Sequence, residues 1–205
     1  MQKQSFPYNP QPRPYALYIH GFASGANSGT MASLSRTFPQ YEWIGPDVSH
    51  NPYEALAVVQ EWAEVFRPEL IMGTSMGGFL TLFADTPWAT KLTVNPVWNM
   101  ETTLRKIGYG KHPYHCPRED GATECMIDEA LVRSYIQFKQ EKPILLGKRN
   151  LAVFSTNDEF VGKEPSKKNT AIIASAGFEV IWNDRMGHRL NDKAAKSIAN
   201  TLNTP

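Results

Sequence analysis

The sequence predicts an α/β fold, a mostly parallel sheet covered by helices on both faces, and three observations carry that prediction. Short, nearly unbroken apolar runs such as Tyr15-Ala16-Leu17-Tyr18-Ile19 alternate along the chain with longer segments of helical period. Runs of that kind are strands buried on both faces, and alternation with helices implies right-handed crossovers. Gly73-Thr74-Ser75-Met76-Gly77 joins the apolar run Leu70-Ile71-Met72 to Gly78-Phe79-Leu80, the pattern of a strand, a sharp turn and a helix with serine at the apex. Finally, 205 residues of which 41% are hydrophobic are enough for one core without disulfides or structural metal, so a single domain over residues 1–205 is expected.

The elements follow in order. Residues 1–14 contain four prolines and many amides and form an extended lead-in. The strand over Tyr15 to Ile19 ends at His20-Gly21, and Tyr41 to Ile44 forms an edge-like strand stopped by Gly45-Pro46. Pro52 opens a helix to about Phe66 with Leu56, Val59, Ala63 and Phe66 on one face. Leu70 to Thr74 is the strand before Ser75, Met76 to about Ala84 the helix after it, and Lys91 to Val94 a strand ending at Asn95-Pro96. From 97 to 149 the period changes to mixed aromatic and polar residues, an insert with one helix over about 128–140 and a stripe of Leu131, Tyr135 and Phe138. Leu151 to Phe154 resumes the strand pattern. A helix opened by Pro165 and closed by Gly177, a strand over Phe178 to Trp182 and a helix over Leu190 to about Leu202 complete the chain.

Composition narrows the partners. Twenty-one Lys plus Arg balance twenty Asp plus Glu, with no run of five like charges, which argues against nucleic acid or an anionic membrane surface. The first residues lack an apolar core of signal-peptide type, and no apolar stretch has the length of a bilayer span, so the expected location is cytoplasmic without membrane insertion. Cys116 and Cys125, the two cysteines, are expected as free thiols.

In a parallel sheet, ligands bind at the carboxyl ends of the strands, which places chemistry at His20-Gly21, Ser75, Asn95, Asn157-Asp158 and the loop after Trp182. Glycines two before and two after Ser75 let strand and helix approach, so that the serine can occupy a strained backbone conformation costing roughly 1 to 3 kcal/mol. The turn raises the hydroxyl above the sheet edge and aims the Met76 N–H at a developing oxyanion. The pattern resembles the nucleophile elbow of an α/β-hydrolase.

A serine hydroxyl needs a base, and the base needs an orienting acid. Of His20, His50, His112, His115 and His188, only His188 follows the last strand in a loop able to reach the carboxyl edge. The acid is expected at the end of the strand before it, where Asp158 leads and Glu159 competes. The order serine, acid, histidine is that of the hydrolase fold. His112, His115, Cys116 and Cys125 have poor spacing for a tetrahedral ion, so neither metal nor cofactor is expected.

Tyr18-Ile19-His20-Gly21-Phe22, Gly73 to Phe79, Asn95-Pro96, the pair Asp158-Glu159 and Gly187-His188-Arg189 together resemble the small bacterial α/β-hydrolases grouped as YqiA/YcfP-like esterases, over roughly residues 15–202. The resemblance implies an esterase or thioesterase with Ser75, Asp158 and His188 as triad. It also implies that the loop after His20-Gly21 gives the second oxyanion donor, the Phe22 N–H, with His20 bracing that loop. The insert is expected to act as a cap, with Trp98 and Met100 toward the substrate and Tyr109 and Tyr114 also candidates. The expected activity is hydrolysis of a small-molecule carboxylic ester or thioester through an acyl-enzyme. Acyl transfer by the same triad, and a non-catalytic small-molecule-binding protein on the same fold, are the alternatives.

Overall fold

A computed structural model describes residues 12–202, and the side chains of all of these except 163–166, 200 and 201. The lead-in expected over 1–14 lies mostly outside the described residues. The elements are β1 (Tyr15–Ile19), α1 (Gly29–Thr37), β2 (Glu42–Ile44), α2 (Pro52–Phe66), β3 (Leu70–Thr74), α3 (Met76–Phe83) and β4 (Thr90–Val94). They continue as α4 (Met100–Ile107), β5 (Gly110–Pro113), β6 (Glu124–Ile127), α5 (Glu129–Glu141), β7 (Arg149–Ser155), α6 (Lys163–Ser175), β8 (Glu179–Asn183) and α7 (Asp192–Leu202).

Six strands form one sheet in the order β2-β1-β3-β4-β7-β8, and every pairing in it is parallel. The order reverses between β1 and β3, which makes the crevice above those two strands the topological switch point. Ser75 follows β3 and His20 follows β1, so both come to that crevice.

Alternate residues of each strand feed opposite layers. Leu17 and Ile19 of β1 join Val59, Phe79, Tyr135 and Phe138 from α2, α3 and α5, whereas Ala16 and Tyr18 join Leu34 of α1 and Ile198 of α7. The sheet is therefore covered on both faces, as the unbroken apolar runs require. One buried charge sits within it: the Lys91 ammonium donates to the carbonyls of Ala84 and Leu145, where the α3 end meets the entry to β7.

Five elements, α1, α4, β5, β6 and α7, depart from the sequence expectation. Helix α1 buries only Ser33 and Leu34, too narrow a stripe to announce itself, and is started by Ser28, whose Oγ accepts from Met31 N–H. Within the insert, α4 buries only Met100 and Leu104, and β5 and β6 form a two-stranded antiparallel hairpin of four residues each. Helix α7 begins at Asp192 because the Asn191 side chain accepts from Ala194 N–H; Leu190, expected as its first apolar residue, is buried in the preceding loop. No helix among the described residues is long and apolar enough to cross a membrane.

Candidate active site

The β3–α3 turn is tight for reasons written in its glycines. A Cβ at Gly73 would lie 2.1 Å from the Gly77 carbonyl oxygen, and one at Gly77 would lie 2.0 Å from that of Ile19. Neither backbone can move aside, so both positions require glycine. With strand and helix this close, Ser75 takes φ +57° and ψ −115°. Its N–H donates to Val94 O at 3.0 Å and its carbonyl accepts from Phe79 N–H at 3.0 Å, which hold the strained turn from both sides.

The loop after β8 carries His188 to this turn. His188 Nε2 stands 3.0 Å from Ser75 Oγ, and Nδ1 stands 2.9 Å from Asp158 Oδ2. With Nδ1 donating to the carboxylate, Nε2 is left free to accept the serine proton. Asp158 Oδ1 accepts from Phe160 N–H at 2.9 Å and Val161 N–H at 2.8 Å, which fixes the carboxylate to its own turn. Burial opposes ionisation of Asp158, but the bond to His188, its charge and the two amide donors outweigh it and hold the carboxyl below the usual value. The Phe160 ring packs on the imidazole, centroids 4.7 Å apart.

Glu159 has a different task from its neighbour. Its Oε2 accepts the backbone N–H of His188 at 2.9 Å. Asn95, left-handed at φ +45° and buried, donates from Nδ2 to the carbonyls of Gly187 and His188, both at 3.0 Å, and accepts from Ser155 N–H at 2.7 Å. The Ser155 hydroxyl donates to Met186 O. The ends of β4 and β7 thus grip the backbone that presents the imidazole.

Met76 is the first residue of α3, where an N–H has no intrahelical acceptor. Across from it the loop after β1 comes close: a Cβ on Gly21 would lie 3.4 Å from Ser75 Cβ. The Phe22 N–H makes no hydrogen bond among the described residues. His20 is buried, with Nδ1 at 2.8 Å from Gly21 O and Nε2 accepting from Val48 N–H at 2.9 Å, the bracing position the sequence suggested.

A cavity of about 850 Å³ opens over Ser75 and His188. Phe22, Met100, Ile107 and Phe160 give it an apolar wall, while Tyr18, Ser28, Thr30 and Thr74 give a hydroxyl-lined one. The insert therefore contributes Met100 and Ile107, together with His112 and Pro113 of the hairpin. Trp98 goes elsewhere: it stacks on Phe83 at 6.1 Å and lies against Phe79, with the Lys139 ammonium over its ring, and does not line the cavity. Tyr109 is exposed and bonds Glu129, and Tyr114 reaches His50. His112 bonds Gly108 O at 2.8 Å and pairs across the hairpin with Cys125, whereas Cys116 faces Ser24.

The described chain superposes on solved α/β-hydrolases. The mouse α/β hydrolase domain-containing protein 10 matches with a TM-score of 0.68 at 14% identity, over 95% of this chain and 89% of its own. The monoacylglycerol lipase of Paleococcus ferrophilus matches with a TM-score of 0.64 at 11% identity over 93% of each chain. A thioesterase domain from the curacin biosynthetic pathway matches with a TM-score of 0.60 at 13% identity, over 94% of this chain and 92% of its own. No curated protein sequence matches. The likenesses show the α/β-hydrolase fold, and the family model described as "Uncharacterised protein family (UPF0227)" matches residues 15–199, so the chain belongs to that family.

Proposed function

We propose that the protein is a serine hydrolase that cleaves a small-molecule carboxylic ester or thioester through an acyl-enzyme. The observation that carries this reading is the unbroken hydrogen-bonded chain from Asp158 through His188 to a serine held at positive φ. Ser75 Oγ attacks the acyl carbon while its proton passes to His188 Nε2, and Asp158 holds the imidazole in the accepting tautomer and stabilises the imidazolium. The Met76 and Phe22 amides take the charge that develops on the carbonyl oxygen. Collapse of the tetrahedral adduct expels an alcohol or thiol, which leaves with the proton from His188. Water, activated by the same imidazole, then releases the acid and regenerates Ser75.

The apolar wall of Phe22, Met100, Ile107 and Phe160 suits the hydrocarbon part of such a substrate. A lipase and a thioesterase domain among the structural neighbours agree with ester or thioester chemistry on this fold. The test is a fluorophosphonate probe, which reacts only with an activated serine. Labelling is expected once, at Ser75, and absent in Ser75→Ala. Labelling at another serine, or none under conditions that label a control hydrolase, rules the reading out.

A further inference from the structure

A second buried histidine, outside the chain that ends on Ser75, holds the loop on the other side of the nucleophile. His50 precedes α2, and its Nε2 accepts the N–H of Ala23 at 3.0 Å. Ala23 is a non-glycine residue at φ +53°, and its carbonyl accepts from His115 N–H at 2.8 Å, so its strained backbone is gripped before and behind. The Phe22 ring packs edge-on against the His50 imidazole with centroids 4.4 Å apart.

The peptide groups on either side of Phe22 are thereby fixed by two different histidines. In the Gly21–Phe22 peptide the carbonyl of Gly21 takes His20 Nδ1 at 2.8 Å and Ser24 N–H at 3.3 Å. In a trans peptide the N–H points opposite to the carbonyl, so those bonds send the Phe22 N–H away from them. The next peptide, Phe22–Ala23, is fixed through its N–H by His50. We infer that His50 is a positioning residue for the oxyanion site, its Nε2 holding Ala23 so that the Phe22 amide stays presented beside Ser75. This inference rests on the serine-hydrolase reading.

The surroundings of His50 suit that task. Because Nε2 accepts, Nδ1 carries the proton and faces the Tyr114 hydroxyl at 3.3 Å, which fixes tautomer and ring orientation together. The His50 carbonyl accepts from the buried Tyr135 hydroxyl at 2.9 Å. Tyr114 comes from the end of the insert's hairpin and Tyr135 from α5, so the insert clamps His50 as well as walling the cavity. Burial first, then the charges of His20 and Arg118, push the His50 pKa down to about 3, which keeps the acceptor available.

The test uses the full chain, a nitrophenyl butyrate ester as substrate and a trifluoromethyl ketone that adds to the serine as a tetrahedral oxyanion. His50→Phe keeps a ring but removes the acceptor. It is expected to lower kcat about 10- to 100-fold with KM within about twofold, and to weaken the ketone by the same factor, because only the transition state uses the donor. His50→Gln should recover most of that loss, since the amide oxygen reaches the place of Nε2, and Tyr114→Phe should give a smaller loss in kcat alone. A folded His50→Phe enzyme with kcat within about twofold of wild type overturns the inference, as does a His50→Gln enzyme no better than His50→Phe. If His50→Phe does not fold, the decision passes to the other two: a loss confined to kcat in Tyr114→Phe with near wild-type His50→Gln supports the assignment, and any other pairing overturns it. A wild-type protein that is neither labelled at Ser75 nor active removes the hydrolase reading itself, before any His50 variant is made.

Discussion

Glu159 accepts the backbone N–H of His188 at 2.9 Å, while its neighbour Asp158 meets the same residue at the imidazole Nδ1, also at 2.9 Å. Two adjacent carboxylates therefore hold one histidine at two different atoms. The aspartate sets tautomer and charge, and the glutamate sets where the ring is carried.

Substitution should separate these tasks. Asp158→Asn is expected to leave the fold intact and lower kcat by about 10⁴, because the amide favours the wrong imidazole tautomer. Glu159→Gln retains an oxygen acceptor and should stay within about threefold of wild type, whereas Glu159→Ala should cost about tenfold through misplacement of the ring. Steady-state kinetics on the three variants check this. A dead Glu159→Gln beside an active Asp158→Asn would exchange the roles.

A methyl group at Gly187 would lie 2.6 Å from Glu159 Oε2, at the movable end of a side chain. Gly187→Ala should therefore fold and reproduce the kinetic loss of Glu159→Ala, and the double variant should be no worse than either single one, since both remove the same bond. Additive losses would show that Gly187 acts through something else. Gly77→Ala contrasts with it, because its Cβ would meet backbone at 2.0 Å and should prevent an active, folded elbow, seen as lost fluorophosphonate labelling and a lowered Tm.

Asn95 makes three bonds, two to the loop that carries His188 and one to the end of β7, while buried at φ +45°. Asn95→Gly relieves the backbone but deletes the bonds, leaving buried groups unpartnered at a cost of about 2 to 4 kcal/mol. Asn95→Ala should be worse still, because alanine resists the left-handed conformation by about 1 kcal/mol. Denaturant titration of the two variants gives the comparison, and a Gly variant as stable as wild type would refute a structural role for the side chain.

His20 and His50 predict how stability follows pH. Burial is the first cause in both; nearby Arg118 adds to it in each, with His20 also acting on His50, while Gly21 O, Asp47 and Asp120 partly oppose it at His20, leaving folded values of about 4 and about 3. The unfolded imidazoles bind protons near 6.5, so between that value and about 4 the unfolded chain holds more protons than the folded one. Stability is then fully present above pH 6.5 and falls as pH drops through that window, by up to about 1.4 kcal/mol per pH unit for each histidine. Asp158, with its lowered pKa, adds a further loss only below the ordinary carboxylate range. Chemical unfolding at a series of pH values should show a slope that His50→Gln makes shallower. An unchanged slope would mean that His50 already carries a proton in the fold.

How much of this was legible in the chain depended on distance along it. The elbow was readable because its glycines stand two residues from Ser75 on either side, and steric demand over five residues is a local matter. The alternation of apolar runs with helical periods was enough for a parallel sheet, and its carboxyl edge placed His20, Ser75, Asn95, Asp158 and His188 on one side. Weakly apolar elements escaped: α1 and α4 bury two residues each, which leaves little period to detect.

By itself, then, the sequence determined the fold class, the tight turn at Ser75 and the order in which serine, acid and histidine come to the sheet edge, because these follow from hydrophobic period and short-range sterics. Only tertiary structure decided which of two adjacent carboxylates meets the imidazole ring and which the backbone, since that turns on the path of a single loop bend. It also decided that Trp98 packs on Phe79 and Phe83 and that His50 reaches Ala23, 27 residues away in the chain. Contacts of that kind join side chains with no shared local pattern, and they exist only once β1, α2 and the insert have been brought together by burial of the core.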